Sequence, residues 1–520
     1  MAAPEAVLPE ALRQAIAPVP AGDTRSALPE GWQHGAFMEI YVRGYRDSDG
    51  DGIGDLRGLI QSLDYLQALG VRGLWLMPVT ASQDHDHGYA VSDFRNIEAA
   101  YGTLADFDEL LRQAHARGIG VIMDYVINHG AASNALFVES ARSPEGPLRN
   151  WFVWKDPAPG GWQIFGRNPW EPSEHGSYFA QFSRNMPDFN MLEPAVVRFH
   201  EDNLRFWLNR GVDGFRFDAV PHLVEHGPQA WYDQVEDHAL MARFRALVDG
   251  YAQRYIVCEA TGNEKLYGSA EVCGGAFAIW QAPKPAKATL GELPAIRSIA
   301  DYYLGAQSVM AMMLSNHDKF AGLRLWDQVQ GDGKRYRLAS ASYLLMPGTP
   351  FIFYGEEIGM AGATGIEGDG SLRIPMSWSA GSPAAGFSTA TPFRANSANA
   401  QTQNVAAESA RSDGLLAWYR QLLALRNRYP SLARGSYEAP SVQGKALAYQ
   451  RRWQGEVILV AINYGLSEQA FKLKRLPAGH WASVLGASAF AANAQGRAEL
   501  KLPPQSVQVW RWISAPPASK

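Results

Sequence analysis

Three short apolar runs, each ending in a carboxylate, constrain most strongly what this chain can fold into. They are GFRFDAVPH at 214–222, IVCEATG at 256–262 and MLSNHD at 313–318. Their β-branched and aromatic residues are typical of buried parallel strands, and a helical pattern follows each run, which indicates repeated βα units. Asp218, Glu259 and Asp318 would then face one mouth of a barrel, where a buried charge is costly unless it is solvated, paired or used.

The same pattern recurs often enough to close a barrel. Strand candidates lie at 36–45, 70–79, 118–129, 214–218, 255–259, 275–280, 311–315 and 351–354. Helical patterns separate the first of these runs, and right-handed βαβ units are the expected connection. We therefore predict an α/β fold built on a (β/α)8 TIM barrel.

Changes in composition divide the chain into four parts. Residues 1–34 form a Pro/Ala-rich N-terminal extension. Gly, Pro, Trp and Asn crowd residues 130–187, which we interpret as a domain inserted after the third strand, forming one wall of a cleft. Alternating short runs in 434–520 predict a C-terminal antiparallel β domain, a sandwich. The barrel would then comprise 35–129 and 188–433.

Composition narrows the choice of partner. The net charge is −5 over 520 residues and no Lys/Arg-rich run occurs, so a nucleic-acid or anionic-membrane partner has no electrostatic support. Sixteen Trp, 21 Tyr and 22 Phe suit a neutral partner with flat apolar faces, such as sugar rings. No stretch of 18 apolar residues exists, so we predict no membrane span. We expect a monomer.

The N-terminus and the cysteines bear on the compartment. The opening MAAPEAVLPE lacks a charged n-region and a long apolar h-region. Because an Ala-rich start also suits a mature secreted form, we favour a secreted or periplasmic location over a cytoplasmic one. Cys258 lies inside a predicted core strand and Cys273 lies in EVCGG, so two buried thiols are expected rather than a disulfide.

The segment DSDGDGIGD at 47–55 places hard oxygen ligands at alternate positions, as a Ca²⁺ loop requires. The predicted ligands are Asp47, Asp49, Asp51, the carbonyl of Ile53, and Asp55. The twelfth position is a glycine where an EF-hand needs its bidentate Glu, and no helix pattern precedes the loop, which excludes an EF-hand. We expect structural Ca²⁺; the alternative is a solvated acidic turn whose carboxylates repel one another.

Seven motifs occur in a fixed order: GLWLMPV, DYVINH, MPDFN, GFRFDAVPH, the Glu of IVCEATG, SNHD and GTPFIFYGEE. In this order they resemble the α-amylase superfamily (glycoside hydrolase family 13), near its oligosaccharide-acting and intermediate α-amylase branch. The resemblance runs from about residue 36 to the C-terminus. It implies the barrel, the domain inserted after strand three and the C-terminal β domain that the composition also indicates.

The resemblance implies a role for each carboxylate. Asp218 would be the nucleophile, Glu259 the general acid and then base, and Asp318 the group that orients sugar hydroxyls and stabilises the distorted ring. Retention needs one ionised and one protonated carboxyl, roughly 5 Å apart. Arg216, on the same face of the strand as Asp218, can keep that group ionised, and apolar neighbours would raise the pKa of Glu259.

The resemblance also implies a set of substrate-binding residues. His129 and His317 would hydrogen-bond the sugar at the cleavage point, while Asp86 and Tyr89 would support the same glucose. His222 could line the acceptor side or only start a helix. The expected substrate-binding set is Asp86, Tyr89, His129, Arg216, His222 and His317.

The exact reaction is less constrained than the family. Retaining hydrolysis of α-1,4 bonds in malto-oligosaccharides or starch is the leading hypothesis. The alternatives are transglucosylation or isomerisation, including maltose to trehalose, and exo-acting α-glucosidase activity. DAVPH does not choose between these branches. The segment 361–400, with Arg373, Trp378 and Arg394, is expected to form a mobile rim.

Two other classes of protein, a non-catalytic binding barrel and a metal-dependent hydrolase, fit the sequence less well. A non-catalytic binding barrel would have lost at least one carboxylate, and all three are present. A metal-dependent barrel hydrolase would need His and Asp ligands clustered at the strand ends, yet the histidines are scattered and no HExxH spacing occurs.

Overall fold

The computed structural model describes residues 8–304, 310–381 and 383–513. Eight parallel strands form its central sheet: β1 Phe37–Ile40, β2 Gly73–Leu76, β3 Gly120–Tyr125, β4 Gly214–Phe217, β5 Tyr255–Cys258, β6 Ala276–Phe277, β7 Met310–Ala311 and β8 Phe351–Phe353.

The eight strands close on themselves. They pair in chain order from β1 to β7, and β8 returns to pair with β1, where Phe351 lies opposite Phe37. A parallel bridge between Met312 and Pro350 joins the remaining edges. The predicted TIM barrel is therefore confirmed, and each of the eight strands overlaps one of the predicted runs.

Helices connect the strands and cover the outside of the barrel. One example begins at a capping box, in which Thr103 and Asp106 satisfy each other's backbone N–H groups, and buries Phe107 and Leu110 against the barrel. No helix in the described ranges is both long and apolar enough to cross a bilayer. The α-helices span Glu10–Ala15, Val42–Tyr45, Leu56–Gln61, Leu63–Leu69, Leu104–Ala116, Ala135–Arg142, Pro194–Arg210, Val235–Asp249, Glu264–Tyr267, Lys284–Thr289, Leu293–Tyr302, Leu325–Gln328, Gly333–Leu344, Val405–Ser409, Leu415–Arg428 and Pro430–Arg434. Short 3₁₀ helices span Trp32–His34, Ala99–Tyr101, Arg149–Trp151, Val220–His222, Ile279–Gln281, Lys319–Ala321, Glu356–Ile358 and Gly368–Ser371.

Large side chains fill the barrel interior. Phe37, Trp75, Phe277 and Phe351 come from different strands and pack ring against ring. Trp32 closes the floor of the barrel from the N-terminal segment, and its indole N–H donates to the carbonyl of Gln253 at 2.9 Å. The interior of the barrel is thus a packed core, and the carboxyl ends of its strands form the mouth where such barrels place their chemistry.

The chain between β3 and β4 forms a separate small layer. Three short strands, Trp154–Lys155, Trp170–Ser173 and Gly176–Phe179, make an antiparallel sheet with its own core of Ile164, Trp170 and Phe179. A second small ribbon, Thr80–Ser82 with Val91–Ile97, follows β2. A bridge between His129 and Asp188 ties the layer to the carboxyl end of β3.

The C-terminal region is an antiparallel β domain of two sheets. Its strands are β9 Ser436–Gln443, β10 Ala446–Trp453, β11 Glu456–Asn463, β12 Gln469–Leu473, β13 Gly479–Leu485, β14 Phe490–Ala492, β15 Ala498–Leu502 and β16 Ser506–Ile513. The strands β12 and β15 form a pair that faces the other six. Phe471, Trp481 and Trp510 fill the space between the two sheets. The predicted C-terminal β domain is confirmed.

Candidate active site

A cavity of about 800 Å³ opens at the carboxyl ends of the barrel strands. The three carboxylates that the sequence singled out, Asp218, Glu259 and Asp318, all line it. The other lining residues are His87, Tyr89, His129, Phe165, Phe182, Ser183, Met186, Ala219, His222, Trp231, Tyr232, Thr261, Trp280, Phe320, Asp369 and Arg373. The topology therefore brings the predicted carboxylates into one site.

Arg216 lies beneath the cavity and contacts two of these carboxylates. Its Nη1 atom lies 2.6 Å from Oδ1 of Asp218, and its Nη2 atom lies 2.7 Å from Oε2 of Glu259. Nη1 also contacts Asp124 at 2.7 Å. The guanidinium is fully buried and is not among the residues that line the cavity, so its predicted contact with substrate stays a prediction. One planar cation thus holds Asp218 and Glu259 side by side.

The backbone after Asp218 adopts a strained conformation that directs an N–H group at Glu259. Ala219 has φ of 48°, in the left-handed region that non-glycine residues rarely adopt. Its N–H donates to Oε2 of Glu259 at 3.2 Å. The turn at the end of β4 therefore supplies a second donor to the carboxyl at the end of β5.

Burial is the main cause of the raised pKa values of Asp218 and Glu259. It raises the pKa of Asp218 to about 6, against the pull of Arg216, and it raises the pKa of Glu259 to about 7. The order agrees with the sequence-based expectation, since the carboxyl of Asp218 ionises before that of Glu259. Near neutrality the site can hold one ionised and one protonated carboxyl.

The third carboxylate, Asp318, lies between two cations. His317 Nε2 lies 3.3 Å from Oδ2 of Asp318, and the guanidinium of Arg373 contacts its other oxygen. Burial opposes ionisation, but His317 and Arg373 hold the pKa of Asp318 well below its usual range. His317 also contacts Glu39 through Nδ1 at 2.6 Å, and the two carboxylates raise its pKa to about 10 despite burial.

Tyr89 links the Arg216 cluster, through Asp124, to His317 beside the third carboxylate. Its hydroxyl lies 2.7 Å from Nε2 of His317 and donates to Asp124 at 2.9 Å. Trp75 donates its indole N–H to the same carboxylate at 3.2 Å. His317 itself is fully buried, so of the two only Tyr89 lines the cavity.

Two neutral histidines complete the polar wall. Burial lowers the pKa of His129 to about 4 and that of His222 to about 3. The Nε2 of His129 lies 3.1 Å from the carbonyl of Tyr89, and Nδ1 of His222 lies 3.0 Å from Oε1 of Gln181. Gln181 belongs to the inserted layer, so that layer orients His222 on the barrel.

Asp86 stands apart from the residues that line the cavity. Arg394 contacts its Oδ2 at 2.8 Å, and the hydroxyl of Tyr41 donates to its Oδ1. Within the predicted rim at 361–400, Arg373 is 8% exposed, lines the cavity and is ion-paired with Asp318. Only the tertiary structure reveals that pairing, because nothing in the surrounding Gly/Ser/Ala-rich sequence marks it.

The outer half of the cavity is aromatic. Phe182 lies against both His222 and Phe165, and Trp231 stacks on His222 with ring centroids 5.7 Å apart. Trp280 is 54% exposed at the mouth and donates its indole N–H to the carbonyl of Thr261. The sequence analysis attributed aromatics to ligand only in general, since composition does not reveal which rings face a cavity.

The expectation of two free thiols is wrong. Cys258 and Cys273 form a disulfide with their Cα atoms 6.3 Å apart. A buried thiol and a buried disulfide leave the same pattern in the sequence, and only the return of the chain before β6 brings the two sulfurs together. The bond therefore anchors the loop that follows Glu259.

The acidic loop at 47–55 gathers some of its predicted ligands. Carboxylate oxygens of Asp47, Asp49 and Asp55 lie within 4.8 Å of one another. Asp51 is not in that group; its carboxylate accepts the N–H of Ile53 at 2.7 Å. Three convergent carboxylates fit the hard-oxygen preference of Ca²⁺. The loop also contacts the rim, because the hydroxyl of Ser388 donates to Asp47.

The chain is similar to known sequences over most of its length. The family profile described as "Alpha amylase, catalytic domain" matches residues 39–435, and that described as "Maltogenic Amylase, C-terminal domain" matches residues 439–509. An oligo-1,6-glucosidase of Heyndrickxia coagulans is 31% identical, covering 88% of this chain and 96% of the relative. A trehalose synthase/amylase of Mycolicibacterium smegmatis is 33% identical, covering 82% of each chain.

A solved structure shares the architecture as well. The crystal structure of an alpha-glucosyl transfer enzyme, XgtA, superimposes with a TM-score of 0.79 at 27% identity. The match covers 92% of this chain and 99% of that one. The shared architecture therefore extends over most of the chain.

Proposed function

This chain belongs to the α-amylase family of glycoside hydrolases and transglycosylases, and on that premise we propose that it cleaves α-1,4-glucosidic bonds in malto-oligosaccharides with retention of configuration. The observation that carries the proposal is the sharing of Arg216 between Asp218 and Glu259. Two carboxyls held on one guanidinium are close enough for a nucleophile and an acid on one glycosidic bond, for which retaining enzymes use a separation of about 5 Å.

In the first step an ionised oxygen of Asp218 attacks the anomeric carbon. The bond from that carbon to the leaving oxygen breaks, and Glu259 transfers its proton to that oxygen. Burial supports this division of roles, because it leaves Asp218 the stronger acid of the pair. The product is a β-linked glycosyl ester on Asp218 and a free sugar hydroxyl.

In the second step Glu259, now ionised, takes a proton from water. The water oxygen attacks the anomeric carbon from the face that the leaving group vacated, and the ester bond to Asp218 breaks. Both carboxyls return to their starting states. Two inversions give net retention, and no oxidant or reductant is involved.

The remaining polar residues bind and orient the sugar. Asp318 is kept ionised by His317 and Arg373, so it can accept hydrogen bonds from two hydroxyls of the reacting ring. Neutral His129 donates its single N–H to the carbonyl of Tyr89 and neutral His222 donates its own to Oε1 of Gln181, so each has only its other ring nitrogen left, as an acceptor for a sugar hydroxyl. Tyr89 presents its ring to the cavity beside them. Asp86 contributes through its pairing with Arg394, or by contact with a longer substrate.

A second candidate is transglucosylation, in which a sugar hydroxyl replaces water. The aromatic outer half of the cavity favours it, because Phe182, Trp231 and Trp280 offer stacking faces to an acceptor ring. Among the relatives, one bears the name trehalose synthase/amylase, which describes both reactions. The same Asp218 ester would serve either acceptor.

Calcium belongs to this proposal as a structural ion. Asp47, Asp49 and Asp55 would hold it, with the carbonyl of Ile53 and Asp51 completing the ligands in the bound state. The ion would supply charge neutralisation for the acidic loop and no part of the chemistry. Because the loop contacts Ser388, it would also steady the segment that leads to Arg394.

The test is a product profile followed over time by chromatography and proton NMR, with maltose, maltotriose, maltoheptaose and starch as separate substrates. Release of short products in the α-configuration from maltoheptaose supports the proposal. Conversion of maltose to trehalose or to longer sugars without matching glucose release would make the enzyme a transglucosylase, and glucose as the sole first product would make it exo-acting. Products in the β-configuration would overturn retention.

A further inference from the structure

A second cavity lies on the opposite side of the barrel from the active site. It measures about 250 Å³ and sits where the barrel floor meets the helix Pro430–Arg434, which leads into the C-terminal domain. Trp32, the floor residue of the barrel, forms part of its wall. The two cavities share no lining residue, and none of the proposed catalytic groups reaches this one.

The lining of this cavity is unusually cationic for a protein of net charge −5. Arg72, Arg426, Arg434 and His34 all line it, and Glu30 is the one carboxylate among its described lining residues. Across the described ranges of the chain, no carboxylate oxygen lies within 4.0 Å of any of the three guanidinium groups. By contrast, Arg117 nearby is paired with Asp64 at 2.7 Å. The three arginine charges are therefore not neutralised by the protein itself.

Arg426 is the buried member of the set. It is 1% exposed, and its guanidinium donates only to carbonyl groups, among them those of Leu344, Met346 and Ala433. Burial and the neighbouring Arg451 lower the pKa of Arg426 to about 9. Burial, together with Arg434 and Arg426, also lowers the pKa of His34. Burial is the larger cause of both shifts, and the neighbouring arginine charges act in the same direction.

Arg72 and Arg434 both line the cavity and both have guanidinium donors that no described protein group accepts from. The guanidinium of Arg72 lies near Gly118, with Nη1 3.7 Å from the position that a Cβ there would occupy. That of Arg434 lies near Gly31, with Nη1 3.1 Å from the corresponding position. Neither side chain donates a hydrogen bond to a described protein group, although Arg434 packs over the ring of Trp453. Each guanidinium thus lies beside a glycine that also lines the cavity.

We propose that this cavity binds a phosphate group between Arg72 and Arg434. Arginine is the preferred partner of phosphate because its planar fork donates two parallel hydrogen bonds, and Arg426 behind it adds a fixed charge. The volume leaves room for part of a molecule that carries the phosphate, so the ligand is inorganic phosphate or a phosphorylated sugar. A bound phosphate would join the barrel floor to the helix that begins the C-terminal domain.

Isothermal titration calorimetry tests the site directly, with inorganic phosphate as the probe and chloride at matched ionic strength as the blank. The intact chain should bind one phosphate. Arg72→Gln and Arg434→Gln should each weaken binding about tenfold or more, the loss expected when a charge-assisted hydrogen bond is removed. Both positions are at least partly exposed, so the variants should fold, which circular dichroism can check.

The matched control is Arg198→Gln, an exposed arginine on the helix Pro194–Arg210 that removes the same charge elsewhere. It should bind phosphate as the unaltered chain does. Repeating the titration with glucose 6-phosphate separates the two sources: tighter binding assigns a phosphorylated sugar, and equal binding assigns free phosphate. No heat of binding, or equal affinity in Arg434→Gln and Arg198→Gln, would overturn the site.

Discussion

Arg216 holds its Nη2 atom 2.7 Å from Oε2 of Glu259, and this contact ties the proposed proton donor to the residue that also contacts the nucleophile. The same guanidinium lies 2.6 Å from Asp218. Arg216 is fully buried and contacts three carboxylates, and no other described cation contacts both Asp218 and Glu259. Its geometry, as much as its charge, fixes the distance between the two reacting groups.

Arg216→Lys should therefore keep the positive charge at this position but lose most of the catalytic activity. A lysine ammonium is a point donor that cannot reach Asp218 and Glu259 along two parallel edges, so we expect kcat/KM to fall by about 100-fold or more. Arg216→Ala should also destabilise the fold by roughly 3–5 kcal/mol, because it leaves buried carboxylates unpaired. Steady-state kinetics and thermal melts measure both effects. Arg243→Lys, an exposed pair with Glu201, is the control; equal activity in the two lysine variants would contradict the role of Arg216.

Activity should follow a bell-shaped pH profile. Catalysis needs Asp218 ionised, which fails as the pH falls below its pKa of about 6, and Glu259 protonated, which fails as the pH rises above its pKa of about 7. The maximum of kcat/KM should lie between these values. With α-glucosyl fluoride, whose leaving group needs little proton assistance, the alkaline limb should flatten. A profile that keeps rising above pH 8 with maltotriose would argue against Glu259 as the acid.

The disulfide should stabilise the fold through its short loop. Cys258 and Cys273 are 15 residues apart, and closing a loop of that length is worth about 3 kcal/mol in the unfolded chain. The double variant Cys258→Ala/Cys273→Ala should therefore melt a few degrees lower than the unaltered chain. Alkylation in denaturant without reductant should label neither cysteine. Two labelled cysteines under those conditions would show that the bond is absent.

Removal of calcium should lower the melting temperature. Binding to the folded loop alone adds about 2.7 kcal/mol when the free ion is at 100 times its dissociation constant. Excess EDTA should remove that increment, and Asp49→Asn should reduce the response by weakening a ligand of the proposed cluster. Scanning calorimetry with and without Ca²⁺ measures it. An unchanged transition in EDTA, with no metal in the purified protein, would show an ordinary acidic turn.

The sequence predicted the barrel and its carboxylates for a clear physical reason. Asp218 and Glu259 come directly after strands, whereas Asp318 follows a buried, non-strand segment after β7, and parallel strands end at the same rim. The position of each carboxylate after its strand in the sequence therefore predicted that the three carboxylates lie close together in the fold. Arg216, two residues before Asp218, could be placed by the same alternation of side chains along a strand.

Other features depend on contacts between distant segments. Arg373 reaches Asp318 from a loop 55 residues further along the chain, and Gln181 orients His222 from the inserted layer. Neither pairing leaves a periodic or compositional signal. The disulfide was missed for the same reason, since the burial of Cys258 is equally consistent with a thiol. Asp51 lies outside the carboxylate cluster of Asp47, Asp49 and Asp55, so its predicted role as a ligand depends on a rearrangement on binding.

The most direct test of the central claim is to trap the glycosyl enzyme. The chain would be incubated with 5-fluoro-α-glucosyl fluoride, which forms the ester quickly and releases it slowly, then quenched, digested and analysed by mass spectrometry. The account predicts one added fluoroglucosyl group on the peptide that carries Asp218, absent from Asp218→Ala. An intact enzyme that turns over maltotriose but carries no label, or carries it on another residue, would contradict Asp218 as the nucleophile.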